Sequence, residues 1–158
     1  MKDIFGKPPI SKFLFITGKL SMLLCIGSII IQIFGFNLRI IPLSSGNLYA
    51  SMIFGLIGLL ILFVGMLNLG PSLKVGLPRE NTYLRTNGLY KFSRNPIYLA
   101  IILLIFSSVI FTLNPVVAFL GMYGIIIQHM IILSEEKFLK DRFGKEYEAY
   151  FKKVRRYI

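Results

Sequence analysis

The sequence predicts an all-α integral membrane protein: about four transmembrane helices, the third and fourth a tight hairpin, and an amphipathic interfacial helix at the C-terminus. Three observations predict it. Hydrophobic residues make up 55% of the 158 residues and charged residues 16%, whereas soluble domains average about 25% charged. The apolar residues gather into four long runs. Lys and Arg, 18 against 7 Asp and Glu for a net charge of +11, lie almost entirely outside those runs. In a soluble chain that excess would point to nucleic acid. Here it reads as basic loops that set topology and meet anionic headgroups, so the partner is a lipid bilayer and not nucleic acid.

The first run extends from about Phe13 to Phe36, interrupted by Lys19 and Gln32. It is too long for the apolar core of a signal peptide, and no small-x-small site closes it. Lys19 lies near its start, where a long side chain can snorkel to the interface. The second run, about Leu48 to Leu69, carries no charge. The third spans Ile97 to Leu113 and the fourth Pro115 to Leu133. A helix of ~18–22 residues crosses a hydrocarbon core of ~30 Å. Asn114-Pro115 divides the last two runs, because Pro lacks the N–H a helix interior needs and Asn before Pro favours a turn. Residues 97–133 therefore read as a hairpin and not as one long helix.

Sixteen of the 18 cations fall on one side of this topology: the N-terminus, the segment between helices two and three, and the tail. Arg39 is alone on the other side, and all seven acids share the basic side. The positive-inside rule then places both termini, and any polar chemistry, in the cytoplasm. The whole chain, 1–158, reads as a single integral membrane domain. Residues 1–69 supply two N-terminal transmembrane helices; 70–158 supply a cytoplasmic connector, the hairpin and a C-terminal helix.

Two segments are not spans. Residues 70–95 are polar and punctuated by Gly70-Pro71, Gly76, Pro78 and Gly88, and connectors of this length are often functional. From Ser134 onward, Leu139, Phe143, Tyr147, Tyr150, Val154 and Tyr157 recur at spacings of four and three among Lys, Arg and Glu. That is one apolar stripe on a helix that continues helix four, breaks at Gly144 and lies on the headgroups.

Some residues stand out chemically. Glu135-Glu136 directly follow the last apolar run. On a helix Gln128 shares a face with Glu135, and His129 with Glu136, two turns apart. Gln128, His129 and Glu136 are the candidate catalytic groups. The plainer alternative is that the two acids mark the water boundary. Asn87 to Tyr98 supplies a Gly turn, two tyrosines and Pro96 at the first position of helix three, whose free N–H groups attract anions. Tyrosine faces can receive a cationic group; a belt of aromatic and basic anchors is again the plainer alternative. Cys25 is the one cysteine, so there is no intrachain disulfide, and no Cys/His cluster has metal-ligand spacing. No metal is expected.

Taken in order, Thr82-Tyr83-Leu84-Arg85-Thr86-Asn87-Gly88-Leu89-Tyr90 followed by Ser93-Arg94-Asn95-Pro96-Ile97-Tyr98 resembles the T-x-G-x-Y…R-H-P-x-Y stretch of the isoprenylcysteine carboxyl methyltransferase family. A hairpin turning at Asn-Pro comes next. Then come Glu135-Glu136-Lys137-Phe138-Leu139, Phe143-Gly144, Tyr147, Tyr150 and Val154, similar to the family's E-E-x-x-L-x-x-x-F-G-x-x-Y-x-x-Y-x-x-x-V. The related phospholipid methyltransferases share the hairpin and the Glu pair. The resemblance covers roughly residues 82–158. It implies a membrane methyltransferase that uses S-adenosylmethionine at the cytoplasmic face. It also implies that Thr82, Tyr83, Leu84, Arg85, Tyr90, Asn95, Pro96, Ile97, Tyr98 and Glu135 hold that cofactor. A sulfonium suits aromatic faces, an ammonium suits Glu135, and a carboxylate suits the start of helix three.

The sequence departs from the family at three positions. Asn95 stands where the family has His, Ala100 is a mild change, and Ile131 stands where the family has a substrate-contacting Arg. Without that Arg a buried carboxylate lacks its counter-ion. The implied acceptor is thus a lipidic or hydrophobic small molecule other than a prenylcysteine carboxylate. The competing class is a non-catalytic four-helix membrane protein: a small transporter, or a family member that binds cofactor without turnover. Helix two has no polar side chain between Ser51 and Asn68, which disfavours transport.

Overall fold

A computed structural model of the chain describes residues 10–70 and 83–158. Among the described residues five α-helices follow one another: α1 (Lys12–Ile33), α2 (Ser45–Leu69), α3 (Pro96–Thr112), α4 (Pro115–Phe143) and α5 (Lys145–Lys153). A 3-10 turn, Gly88–Lys91, precedes α3. Ser11 and Ser44 cap α1 and α2 through their hydroxyls. Among the described residues α1, α2 and α4 are long and apolar enough to cross a membrane. α3 is equally apolar but has 17 residues, about 25 Å, a few Å short of a typical hydrocarbon core. The expected hairpin is present. Leu113 ends α3 in the left-handed region at φ 46°, the Asn114 side chain caps α4, and Pro115 takes its first position.

The bundle packs on small residues, as helices must in lipid, where apolar contact alone gives no driving force between them. α2 runs antiparallel to α3. A Cβ at Gly58 would sit 3.1 Å from the Ala100 carbonyl, Gly65 faces Ile97, and the Ser107 hydroxyl donates to the Ser51 carbonyl at 2.8 Å. α1 lies antiparallel to α4, with Gly18 against Ile127, Ser21 and Met22 beside Gly124, and Cys25 beside Gly121. Each N-terminal helix thus leans on one arm of the hairpin. Large apolar side chains such as Leu23, Leu24, Leu56, Leu60 and Phe63 face outward.

The two ends of the bundle differ. At one end the loop after α1 is tied to the hairpin tip: Arg39 Nε donates to the Phe111 carbonyl at 3.1 Å, and Asn114 Nδ2 to the Leu38 carbonyl at 2.6 Å. At the other end α4 runs past the apolar zone to Gly144, where φ is +51° and the chain breaks into α5. The apolar stripe of α5 turns inward. Tyr147 (2% exposed), Tyr150 and Val154 form a small core with Leu84, Leu139 and Phe143. The amphipathic helix therefore packs its aromatic face on Leu84, in the described end of the connector.

Candidate functional site

The basic end of the bundle is organised by two adjoining strips of α4. One carries Gln128 and Glu135, the other His129 and Glu136. The first strip faces α3. Tyr98 donates its hydroxyl to Glu135 Oε1 at 2.8 Å, and Gln128 Nε2 donates to the Tyr98 carbonyl at 3.5 Å. Gln128 is 4% exposed, and among the described residues its Oε1 is a buried acceptor with no partner. Glu135 stays half-buried and forms no ion pair among the described residues. Its charge is felt by Lys19 on α1 and by Tyr90. Burial first, and the Glu135 charge second, push the Tyr90 hydroxyl up to about 12, so Tyr90 is a neutral aromatic wall.

The second strip faces the tail. His129 Nδ1 and the Tyr157 hydroxyl are 2.8 Å apart, and the two rings stack. Glu136 is enclosed by cations. Arg94 Nη2 donates to Oε1 at 3.0 Å and Arg156 Nη2 to Oε2 at 2.8 Å, with the Arg94 and Glu136 side chains 6% and 8% exposed. Asn95 Nδ2 adds a longer bond to Oε1 at 3.4 Å. The Glu136 hydrogen bonds hold the Arg156 guanidinium more firmly charged than usual. Arg94 also donates to the Phe151 and Val154 carbonyls and lies 4.0 Å over the Phe151 ring.

Local sequence explains the placement. Gly88 adopts φ +62°, a region that favours glycine, and a Cβ there would overlap Asn68 Oδ1. Asn68 uses that oxygen to accept from Leu89 N at 3.2 Å, anchoring the turn to the end of α2. Ser93 donates its hydroxyl to the Arg156 carbonyl, and Arg94 N donates to the Arg155 carbonyl. Tyr150 donates to the Tyr90 carbonyl at 2.7 Å. The turn and the tail are thus stitched together, and α3 begins at Pro96 directly above them.

The expected site residues divide accordingly. Tyr90, Tyr98, Gln128 and Glu135 share one side of α4. Asn95 leaves the start of α3 without a side-chain cap, its amide being directed to Glu136 and the Arg156 carbonyl. Pro96 is buried, and Ile97 packs on Gly65. Leu84 joins the tail core, Arg85 is half-buried and Tyr83 is 78% exposed. Thr82 lies outside the described residues. Ile131 is buried and brings no charge. His129 and Glu136 meet the tail in place of Gln128 and Glu135. Sequence reasoning missed Lys19, Arg156 and Tyr157. The only signal for Lys19 was a charge inside an apolar run.

A sequence model of the family described as phospholipid methyltransferase matches residues 47–146, well over half of the chain. The chain belongs to that family. No curated protein and no solved structure matches it. The phospholipid methyltransferase match starts in α2 and ends in α5. It therefore reaches further toward the N-terminus than the motif resemblance at 82–158, and includes Asn68 along with the hairpin and both glutamates. It leaves out α1 with Lys19, and the last residues with Arg156 and Tyr157. Membership makes the protein a membrane methyltransferase, and its apolar helices make it an integral membrane protein.

Proposed function

We propose that the protein transfers a methyl group from S-adenosylmethionine to a lipidic or hydrophobic small acceptor at the cytoplasmic end of the bundle. One observation carries the reading. Of two adjacent carboxylates, Glu136 is neutralised by two guanidiniums, while Glu135 keeps capacity beside aromatic walls and an unpartnered buried acceptor. Those groups suit the cofactor's chemistry. Glu135 would take the ammonium, the Tyr90 and Tyr98 rings would suit the sulfonium, and the carboxylate would need the first amides of α3 or a nearby cation. Gln128 Oε1 awaits an N–H or O–H donor from cofactor or acceptor.

When bound, the cofactor supplies an electrophilic methyl group on a positively charged sulfur. The chain's own contribution is alignment and exclusion of water. Tyr157 fixes the orientation of the His129 ring on the tail side. Glu136 belongs to the frame: it locks the tail over the start of α3 and takes no proton. Ile131 gives a carboxylate acceptor no counter-ion at its position.

The test is calorimetric titration of S-adenosylmethionine into the detergent-purified protein, with methyl-labelled cofactor incubated in native membranes and the lipid and protein fractions then separated. Saturable binding and label in the lipid fraction are expected. No heat and no thermal shift at millimolar cofactor would favour the non-catalytic alternative. For sidedness, a cysteine placed at Asn47 should label from outside and one at Lys145 should not. The reverse pattern would overturn the cytoplasmic placement.

A further inference from the structure

Lys19 lies on α1, outside the family match, in a stripe with Phe15, Met22 and Ile26 at spacings of four, three and four. Met22 and Ile26 pack against the core of Cys25, Ile105 and Val117. That stripe therefore faces the bundle, whereas Phe13, Ile16, Leu20 and Leu23 are exposed on the lipid side. Lys19 is half-buried on the inward stripe. Its Nζ reaches back over the Phe15 ring, 4.8 Å from the centroid. Gly18 against Ile127 and Ser21 beside Gly124 fix the register, so reaching back toward Phe15 carries the ammonium toward the Glu135 end of α4. Glu135 in turn leans back along its helix, as helical side chains do. The two head groups thus lie toward the same end of the α1–α4 seam, with Glu135 held by the Tyr98 hydroxyl. They interact through space, yet the described residues give Lys19 neither an ion pair nor a hydrogen bond. An inward-facing cation in a membrane helix needs a partner. The Glu135 carboxylate acts on it through space without pairing with it.

We propose that Lys19 is an anion-binding subsite of this pocket, taking an anionic oxygen group of a bound ligand: the carboxylate of the cofactor's amino-acid end or the phosphate of an acceptor lipid. This rests on the proposed methyl transfer only for the identity of the cofactor. Glu135 receives the cationic part of a ligand and Lys19 the anionic part. α1 thereby gains a function beyond packing.

Lys19→Met and Lys19→Arg in the full chain separate the sources. Two ligand pairs are titrated: S-adenosylmethionine against its decarboxylated analogue, and dioctanoylphosphatidic acid against dioctanoylglycerol. Lys19→Met should weaken, about tenfold or more, the member of one pair that carries the anionic group, should not weaken the member that lacks it, and should be restored by Lys19→Arg. Loss confined to S-adenosylmethionine assigns the subsite to the cofactor; loss confined to phosphatidic acid assigns it to the lipid. If the unmodified protein binds no S-adenosylmethionine but shows Lys19-dependent phosphatidic acid binding, the cofactor reading fails and this one stands. Unchanged affinity for both pairs, equal weakening of the members with and without the anionic group, or no binding of any of the four ligands would overturn it.

Discussion

Glu135 and Glu136 are consecutive residues, about 100° apart around one helix, and they enter opposite kinds of environment. Glu136 meets Arg94, Arg156 and Asn95, and every one of these contacts joins the tail or the start of α3 to α4. Glu135 meets one tyrosine hydroxyl and otherwise opens toward Lys19 and Tyr90. A buried carboxylate that is fully paired contributes to a frame. One that is incompletely paired is poised for something that arrives later. Gln128 and His129 repeat the division two turns earlier: Gln128 keeps an acceptor that no described residue uses on the Glu135 side, and His129 is taken up by Tyr157 on the tail side.

The contrast breaks most visibly on the frame side. Arg94→Met removes the least exposed cation of the cluster and leaves Glu136 with Arg156 as its one cation beside the longer Asn95 bond. A loss of about 3–5 kcal/mol is expected, the scale for removing one partner of a buried pair. Thermal or denaturant unfolding in detergent would show it, and a change below about 1 kcal/mol would mean that the cluster is solvated and not a frame. A smaller loss, about 1–2 kcal/mol, is expected for Tyr150→Phe. That variant orphans the buried Tyr90 carbonyl while keeping the ring. The pocket side should behave oppositely. Gln128→Leu removes a buried acceptor that has no partner among the described residues, so stability should hold or rise by up to about 1 kcal/mol. Ligand affinity should fall by about the same amount. A clear loss of stability would show that Gln128 belongs to the frame.

Much of the architecture was legible because it is written in local punctuation. Asn114-Pro115 states the hairpin, Gly144 the break after α4, and Pro96 the start of α3. Each acts through its own backbone geometry, without help from distant residues. The stripe Tyr147, Tyr150 and Val154 was legible as a helix face, but not where that face docks. Its partner Leu84 is supplied by a distant connector. The division between Glu135 and Glu136 was hidden for the same reason. Periodicity places them on adjoining strips but cannot say which strip meets Arg94 and Arg156. Asn95 read as a cofactor ligand, and its amide reaches Glu136 and the tail. Lys19 read as a snorkelling charge, because the direction it faces is set by Gly18 and Gly124, the close contacts that orient α1 against α4.

The most direct test of the division is Glu135→Gln, measured by calorimetric titration of S-adenosylmethionine alongside a melting curve. The account predicts cofactor affinity lower by about 1–3 kcal/mol, the scale of a charge-assisted hydrogen bond, with the melting temperature essentially unchanged. Unchanged affinity, or a fall in affinity matched by collapse of the melting temperature, would contradict it: Glu135 would then be a boundary or frame residue like its neighbour.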